Sequence, residues 1–263
     1  MKGRLEEGFS RIRGGGEKAL ALFLTAGYPS RSGMVDLVLT LEDGGADIVE
    51  LGMPFSDPLA DGPVIQRASA VALANGVTLP WILEQVAAIR SRSSMPLVLM
   101  GYLNPVFRYG VEDFFKDAAS AGVDGVIFPE LPLEEWGRFL PVLGSADLAG
   151  VMLVTPTTPA ARVKEIDAVS SGFLYCVSST GVTGGPAPTE AAAYIRDVKK
   201  NASRNPVLVG FGISLPAHAE AFARVADGVI VGSALLRKLA DSPALPGVGR
   251  WVRDFKSVLR DGR

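Results

Sequence analysis

The stretch VELGMPFSDPLADGP, residues 49–63, ends a short apolar run with an acid, Glu50, and then carries Asp57 and Asp61 on a proline-stiffened loop. An apolar run that stops in turn chemistry and leads into a helix-period segment is one strand–loop–helix unit. The unit recurs along the chain. Its apolar runs are ALALFLT (19–25), DIVELG (47–52), PLVLMGY (96–102), GVIF (125–128), GVMLV (150–154), FLYCV (173–177), VLVGF (207–211) and GVIVG (228–232). Helix-period segments lie between them at Arg31–Asp43, Leu79–Ser91, Val111–Ala121, Leu133–Leu143, Pro159–Ser170 and Thr189–Lys199, with a shorter one near Val64–Ala74. Near-continuous apolar strands alternating with helices predict a parallel sheet covered on both faces. Eight such units in 263 residues predict one α/β domain spanning 1–263, a (β/α)8 TIM barrel with additional N-terminal and loop helices. Flanking helices are expected near Leu5–Arg13 and Gly249–Leu259. A doubly wound sheet is the alternative, but no G-x-G-x-x-G follows the first strand.

Composition supports a well-cored domain. Hydrophobic residues make up 48% and charged residues 21%, so disorder is not expected. The formal charge of −2 is spread along the chain without a Lys/Arg block, which argues against nucleic acid. No apolar run reaches the roughly 18 residues of a membrane span. The first residues, MKGRLEEGFSRIRGGGEK, lack the apolar core of an export signal. A single cysteine fits a reducing compartment. The expectation is a cytoplasmic protein.

Strand alternation places Ile48 and Glu50 on one face of the second strand and Val49 and Leu51 on the other. If the helices cover Val49 and Leu51, Glu50 points into the barrel mouth. A carboxylate there is costly unless paired, exposed or used. On geometry alone it is either a rim acid bridged to a neighbouring strand or a functional group. Asp57 and Asp61, taken singly, are ordinary turn residues. Together, a strand-end acid and a loop acid suit general acid–base chemistry, because different surroundings separate their pKa values.

A second cluster is formed by GVTGG (181–185), GFGIS (210–214) and VGS (231–233), at the ends of strands six, seven and eight. Glycines there let backbone N–H groups approach an anion, and Ser233 would open a helix whose N-terminus favours phosphate. The competing reading is strand–helix packing. Absences narrow the chemistry further. His218 falls on an expected outer helix and Cys176 on the helix-facing side of its strand; no His/Cys/Asp cluster has metal-ligand spacing, and no lysine ends a strand as a Schiff-base candidate. What remains is metal-free acid–base chemistry on a phosphorylated small molecule.

ELGMPFSDPLADGPVIQ (50–66), LMGYLNP (99–105), STGVTG (179–184), GFGIS (210–214) and GSA (232–234), in this order over nearly the whole chain, resemble the tryptophan synthase alpha subunit family. The resemblance implies cleavage of indole-3-glycerol phosphate to indole and glyceraldehyde 3-phosphate, with no cofactor in this chain. It also implies a partner, a beta subunit carrying pyridoxal phosphate (PLP), in an alpha2-beta2 assembly. It places the catalytic acids at Glu50 and Asp61, and phosphate contacts at Gly184, Gly212, Gly232 and Ser233. Phe23, Tyr102, Tyr175 and Thr183 would surround the rest of the substrate, with Met100, Ile127, Leu153 and Ile230 as apolar lining. Pro54, Phe55 and Pro58 are expected to offer an apolar surface to the partner. One departure stands out: PELP (129–132) has Glu130 where the family usually has Asp, and no role is carried to that position. A stand-alone lyase and a catalytically weak regulatory barrel are the rival readings.

Overall fold

A computed structural model describes residues 3–177, 188–210 and 212–260. Eight parallel strands close into a barrel in chain order: β1 (Ala19–Thr25), β2 (Ile48–Gly52), β3 (Leu97–Met100), β4 (Gly125–Ile127), β5 (Ala149–Val154), β6 (Leu174–Val177), β7 (Val207–Gly210) and β8 (Gly228–Val231). β8 pairs back onto β1, with Ala21 opposite Ile230. The helices are α1 (Arg4–Gly14), α2 (Met34–Asp43), α3 (Pro63–Ala74), α4 (Leu79–Arg90), α5 (Leu103–Tyr109), α6 (Val111–Ala121), α7 (Leu133–Trp136), α8 (Leu140–Ser145), α9 (Ala160–Val169), α10 (Pro188–Asn201), α11 (Pro216–Ala223), α12 (Ser233–Asp241) and α13 (Leu245–Arg260).

The strands read as continuous apolar runs because both of their faces are buried. Ala21, Ile48, Val98, Ile127, Val151, Tyr175, Leu208 and Ile230 fill the interior. Their chain neighbours Leu22, Val49, Leu97, Val126, Met152, Cys176, Val209 and Val229 face the helices. Helix α1 plugs the N-terminal end of the barrel: Leu5, Phe9 and Ile12 join the interior cluster, and the Phe9 and Phe173 rings lie 6.2 Å apart.

That end is stitched by a device repeated three times. Asp47, Asp124 and Asp227 each immediately precede a strand. Their carboxylates accept the backbone N–H of Leu20, Leu97 and Val207, all at 2.8 Å, on the preceding strand. The N–H of each Asp returns a bond to the carbonyl of that same residue. A cation completes each unit: Lys256 on Asp47 at 2.8 Å, Arg4 and Arg90 on Asp124 at 2.6 and 2.8 Å, and Lys199 on Asp227 at 2.5 Å. Between β5 and β6 the hydroxyls of Ser170 and Ser171 accept from Met152 and Gly150 instead.

Two expectations about helices need correction. The segment expected as one helix over Leu133–Leu143 is two, α7 and α8, because Gly137 ends the first and Pro141, which lacks an N–H, fits only the opening turn of the second. Helix α5, between β3 and α6, was not expected at all. No single helix among the described residues is long and apolar enough to cross a membrane; the apolar pair α3 and α4 is bent by 97°.

The Asp124 unit generates a test. Its side chain is 5% exposed, so removing it leaves Arg4 and Arg90 with backbone carbonyls alone among the described residues and takes the carboxylate acceptor from the Leu97 N–H. Asp124→Ala is expected to cost about 3–5 kcal/mol in urea unfolding. Asp36→Ala, which breaks the exposed pair with Arg92, is expected to cost under about 1 kcal/mol. Equal effects from the two substitutions would contradict this ranking.

Candidate active site

Glu50 is held by a strand whose other face is locked in the outer core: Val49 and Leu51 pack against the helices, so Ile48 and Glu50 turn inward. Phe23 on β1 and Val98 on β3 stand beside Glu50 in register. The residue is 0% exposed, and neither carboxylate oxygen has a hydrogen-bond partner among the described residues. Among the described residues the rim salt bridge considered from sequence is therefore not formed. Desolvation raises the Glu50 pKa from 4.5 to about 8, so near neutral pH the group carries a proton.

Asp61 reaches the same mouth from the β2–α3 loop. The loop leaves β2 with Met53 N–H on Met100 O at 2.7 Å, and a turn follows in which Asp61 N–H bonds Pro58 O at 3.1 Å. The Tyr102 hydroxyl donates to Asp61 Oδ2 at 3.2 Å and accepts Ala60 N–H at 2.9 Å. Asp61 is half-buried; desolvation pushes it up to about 6, against the hydrogen bond from Tyr102 and with the repulsion of Glu130. Two carboxyl groups, one sealed and one partly solvated, thus titrate apart.

Around them the mouth is lined by Phe23, Thr25, Met100, Tyr102 and Ser69 among others. Thr25 and Ser69 were not singled out from sequence. Thr25 is 1% exposed with an unpartnered hydroxyl among the described residues, and its only sequence signal is sharing the inward parity of Phe23 at the end of β1. Ile127 and Ile230 lie in the interior cluster, and Met100 and Leu153 pack against it. Tyr175 points inward from β6, buried, and feels the charges of Glu50 and Asp61; burial drives its pKa well above the ordinary value. Its ring needs Gly210 beside it, because a Cβ there would sit 2.3 Å from the hydroxyl oxygen.

At the expected phosphate side, Gly232 caps α12 and Ser233 is its first residue. The opening N–H groups of such a helix have no intrahelical acceptor. Gly212 is exposed in the left-handed region, φ +76°, which favours glycine. Thr183 and Gly184 lie outside the described residues.

Other positions are settled more plainly. Cys176 faces the outer core, its thiol pushed up to about 12 by burial, and His218 is exposed on α11. Asp57 is an exposed turn residue: its carboxylate accepts the Ser56 hydroxyl at 2.5 Å and its carbonyl accepts Leu59 N–H at 3.0 Å. Of the apolar surface expected of Pro54, Phe55 and Pro58, Phe55 and Pro58 are half-buried and only Pro54 is withdrawn from it. Pro54 is buried and the Phe55 ring packs 5.3 Å from Tyr102, whereas Leu59 is 93% and Phe107 58% exposed. A larger cleft, about 380 Å³, opens at the N-terminal end of the barrel. Its floor is the Lys256 unit, which bonds Asp47 and Glu17, so it belongs to the stitching.

The burial of Glu50 has a stability consequence with a fixed sign. The folded chain binds this proton more tightly than the unfolded chain, so folding weakens as pH rises from 4.5 through about 8. The slope is up to about 1.4 kcal/mol per pH unit. Glu50→Gln removes it. Thermal unfolding across this range is expected to show the variant gaining steadily on the parent; a constant offset would contradict the raised pKa.

Comparison with known proteins identifies the family. A family model described as tryptophan synthase alpha chain matches residues 9–249. The sequence is 48% identical over 238 residues to the tryptophan synthase alpha chain of Geotalea daltonii, covering 90% of each chain. It is 47% identical over 262 residues to that of Chloroflexus aggregans, covering 97% of each. The crystal structure of tryptophan synthase subunit alpha from Legionella pneumophila matches with a TM-score of 0.92 at 35% identity, covering 98% of this chain and 99% of that one. A chain in the aminoacrylate-bound tryptophan synthase of M. tuberculosis matches with a TM-score of 0.88 at 35% identity, covering 98% of this chain and 100% of that one. The barrel with an inward strand-two acid, the family match and these relatives together establish that the chain belongs to the tryptophan synthase alpha chain family.

Proposed function

We propose that this chain cleaves indole-3-glycerol phosphate to indole and glyceraldehyde 3-phosphate by metal-free acid–base catalysis and passes the indole to a beta subunit. The observation that carries this reading is the sealed Glu50, unpartnered among the described residues, in the same barrel mouth as a partly solvated Asp61. The indole ring leaves only after its C3 has been protonated. Protonated Glu50 gives that proton, and positive charge spreads to the ring nitrogen. The Asp61 carboxylate accepts the ring N–H and stabilises that charge. Glu50, now a carboxylate, takes the proton of the side-chain hydroxyl. The carbonyl of the aldehyde forms, the carbon–carbon bond breaks, and its electron pair returns to the ring and neutralises it. Glu50 ends protonated, so the cycle closes without a net proton.

The phosphate is assigned to the N-terminus of α12 with Gly212, Gly232 and Ser233, together with Gly184 of the β6–α10 connection. Phe23, Tyr102, Tyr175 and Thr183 would bracket the indole and glycerol portions. Pyridoxal phosphate is assigned to the beta subunit alone, in an alpha2-beta2 assembly, and the reaction to the cytoplasm. Leu59 and Phe107 are the exposed apolar anchors for that partner. Leu59 lies two residues from Asp61, and α5, which carries Phe107, starts just after Tyr102. Docking there would bear on the catalytic loop directly.

The test is an assay of indole-3-glycerol phosphate cleavage with and without a beta subunit. Glyceraldehyde 3-phosphate is expected in both conditions, faster with the partner. The kcat/KM profile should rise through about 6 as Asp61 ionises and fall through about 8 as Glu50 ionises. Glu50→Gln is expected to lower kcat about 10²- to 10⁴-fold. Absence of product in both conditions would refute the reaction, and partner-independent full activity would favour a stand-alone lyase.

A further inference from the structure

Glu130, on the loop between β4 and α7, reaches across 27 positions to accept Leu103 N–H at 2.6 Å. That N–H opens helix α5 inside the barrel mouth, where Leu103 is buried, and a donor there needs an acceptor. The residue just before it is Tyr102, whose hydroxyl bonds both Asp61 and Ala60. We propose that Glu130 is a positioning residue for the cleavage reaction: its carboxylate fixes the start of α5, and through it the Tyr102 hydroxyl that orients Asp61. The inference rests on the reading of Asp61 as the indole N–H partner. The longer side chain of Glu is used here, since its carboxylate spans from one loop to a neighbouring helix.

The same carboxylate has an electrostatic role. The groups acting on Asp61 are Tyr102 from the start of α5 and Glu130 from the β4–α7 loop, while Tyr175 on β6 feels its charge. Tyr102 lowers the Asp61 pKa and Glu130 raises it. Glu130 is exposed, so solvent screens its charge and its influence on Asp61 is the smallest of those named.

Glu130→Gln keeps an acceptor oxygen for Leu103 but removes the charge; Glu130→Ala removes both. In the assembled enzyme, Glu130→Ala is expected to lower kcat about tenfold with KM changed less than about threefold. Glu130→Gln should restore most of kcat while moving the acid limb of the profile down by about half a pH unit, about threefold in rate well below that limb. In a cycle with Tyr102→Phe, the Glu130→Ala loss should largely disappear, because it acts through that hydroxyl. A carbon-13 NMR titration of the Asp61 carboxyl reads the same shift without any assay. An inactive parent would sink the reaction while the titration still tested Glu130. An active parent with kcat unchanged in Glu130→Ala and an unmoved Asp61 titration would overturn this proposal alone. Equal losses in the Ala and Gln variants, additive with Tyr102→Phe, would overturn it as well.

Discussion

A carboxyl group sealed among apolar side chains, with no acceptor or donor to satisfy it among the described residues, is the constraint on which the rest of the molecule turns. Among the described residues Glu50 is the buried acid whose oxygens are both unpartnered; Asp124 and Asp167, also buried, are fully engaged. An isolated charge in such a place is so unfavourable that the group holds its proton instead. The fold tolerates this because strand β2 is over-determined. Its register is fixed by β1 and β3 on either side, and Val49 and Leu51 anchor its outer face. A one-residue slip would turn Glu50 outward and expose the apolar set.

The two ends of the barrel divide the work. At the N-terminal end, Asp47, Asp124 and Asp227 pair with cations and backbone N–H groups, and α1 closes the floor. Every one of those acids has partners. At the C-terminal end, among the described residues, Glu50 has none and the Asp61 carboxylate is held by one tyrosine hydroxyl. Rigidity at one end supports an unsatisfied, reactive arrangement at the other, as expected for a fold whose chemistry sits on the loops after the strands.

Much of this was legible in the sequence. Both faces of each strand are buried, so the apolar runs stood out, and parity alone turned Glu50 inward. The break at Gly137 and Pro141 was also written there, but the apolar pattern of 133–143 masked it. Long-range bonds were not legible. The contact between Glu130 and Leu103 spans 27 residues and that between Tyr102 and Asp61 spans 41, and no local pattern encodes either. The threefold Asp stitching is not legible because Asp before a strand has the pattern of turn punctuation, and its acceptor role lies on the preceding strand's N–H. Exposure of Leu59 rather than Pro54 follows from how the loop folds over Tyr102, which composition does not fix.

The most direct measurement is the protonation state of Glu50 itself, read by isotope-edited infrared spectroscopy of the glutamate carboxyl across the pH range, with Glu50→Gln identifying the band. A protonated carboxyl persisting at neutral pH and titrating near 8 is the predicted result. A Glu50 carboxyl that ionises near its ordinary value of 4.5 would contradict it.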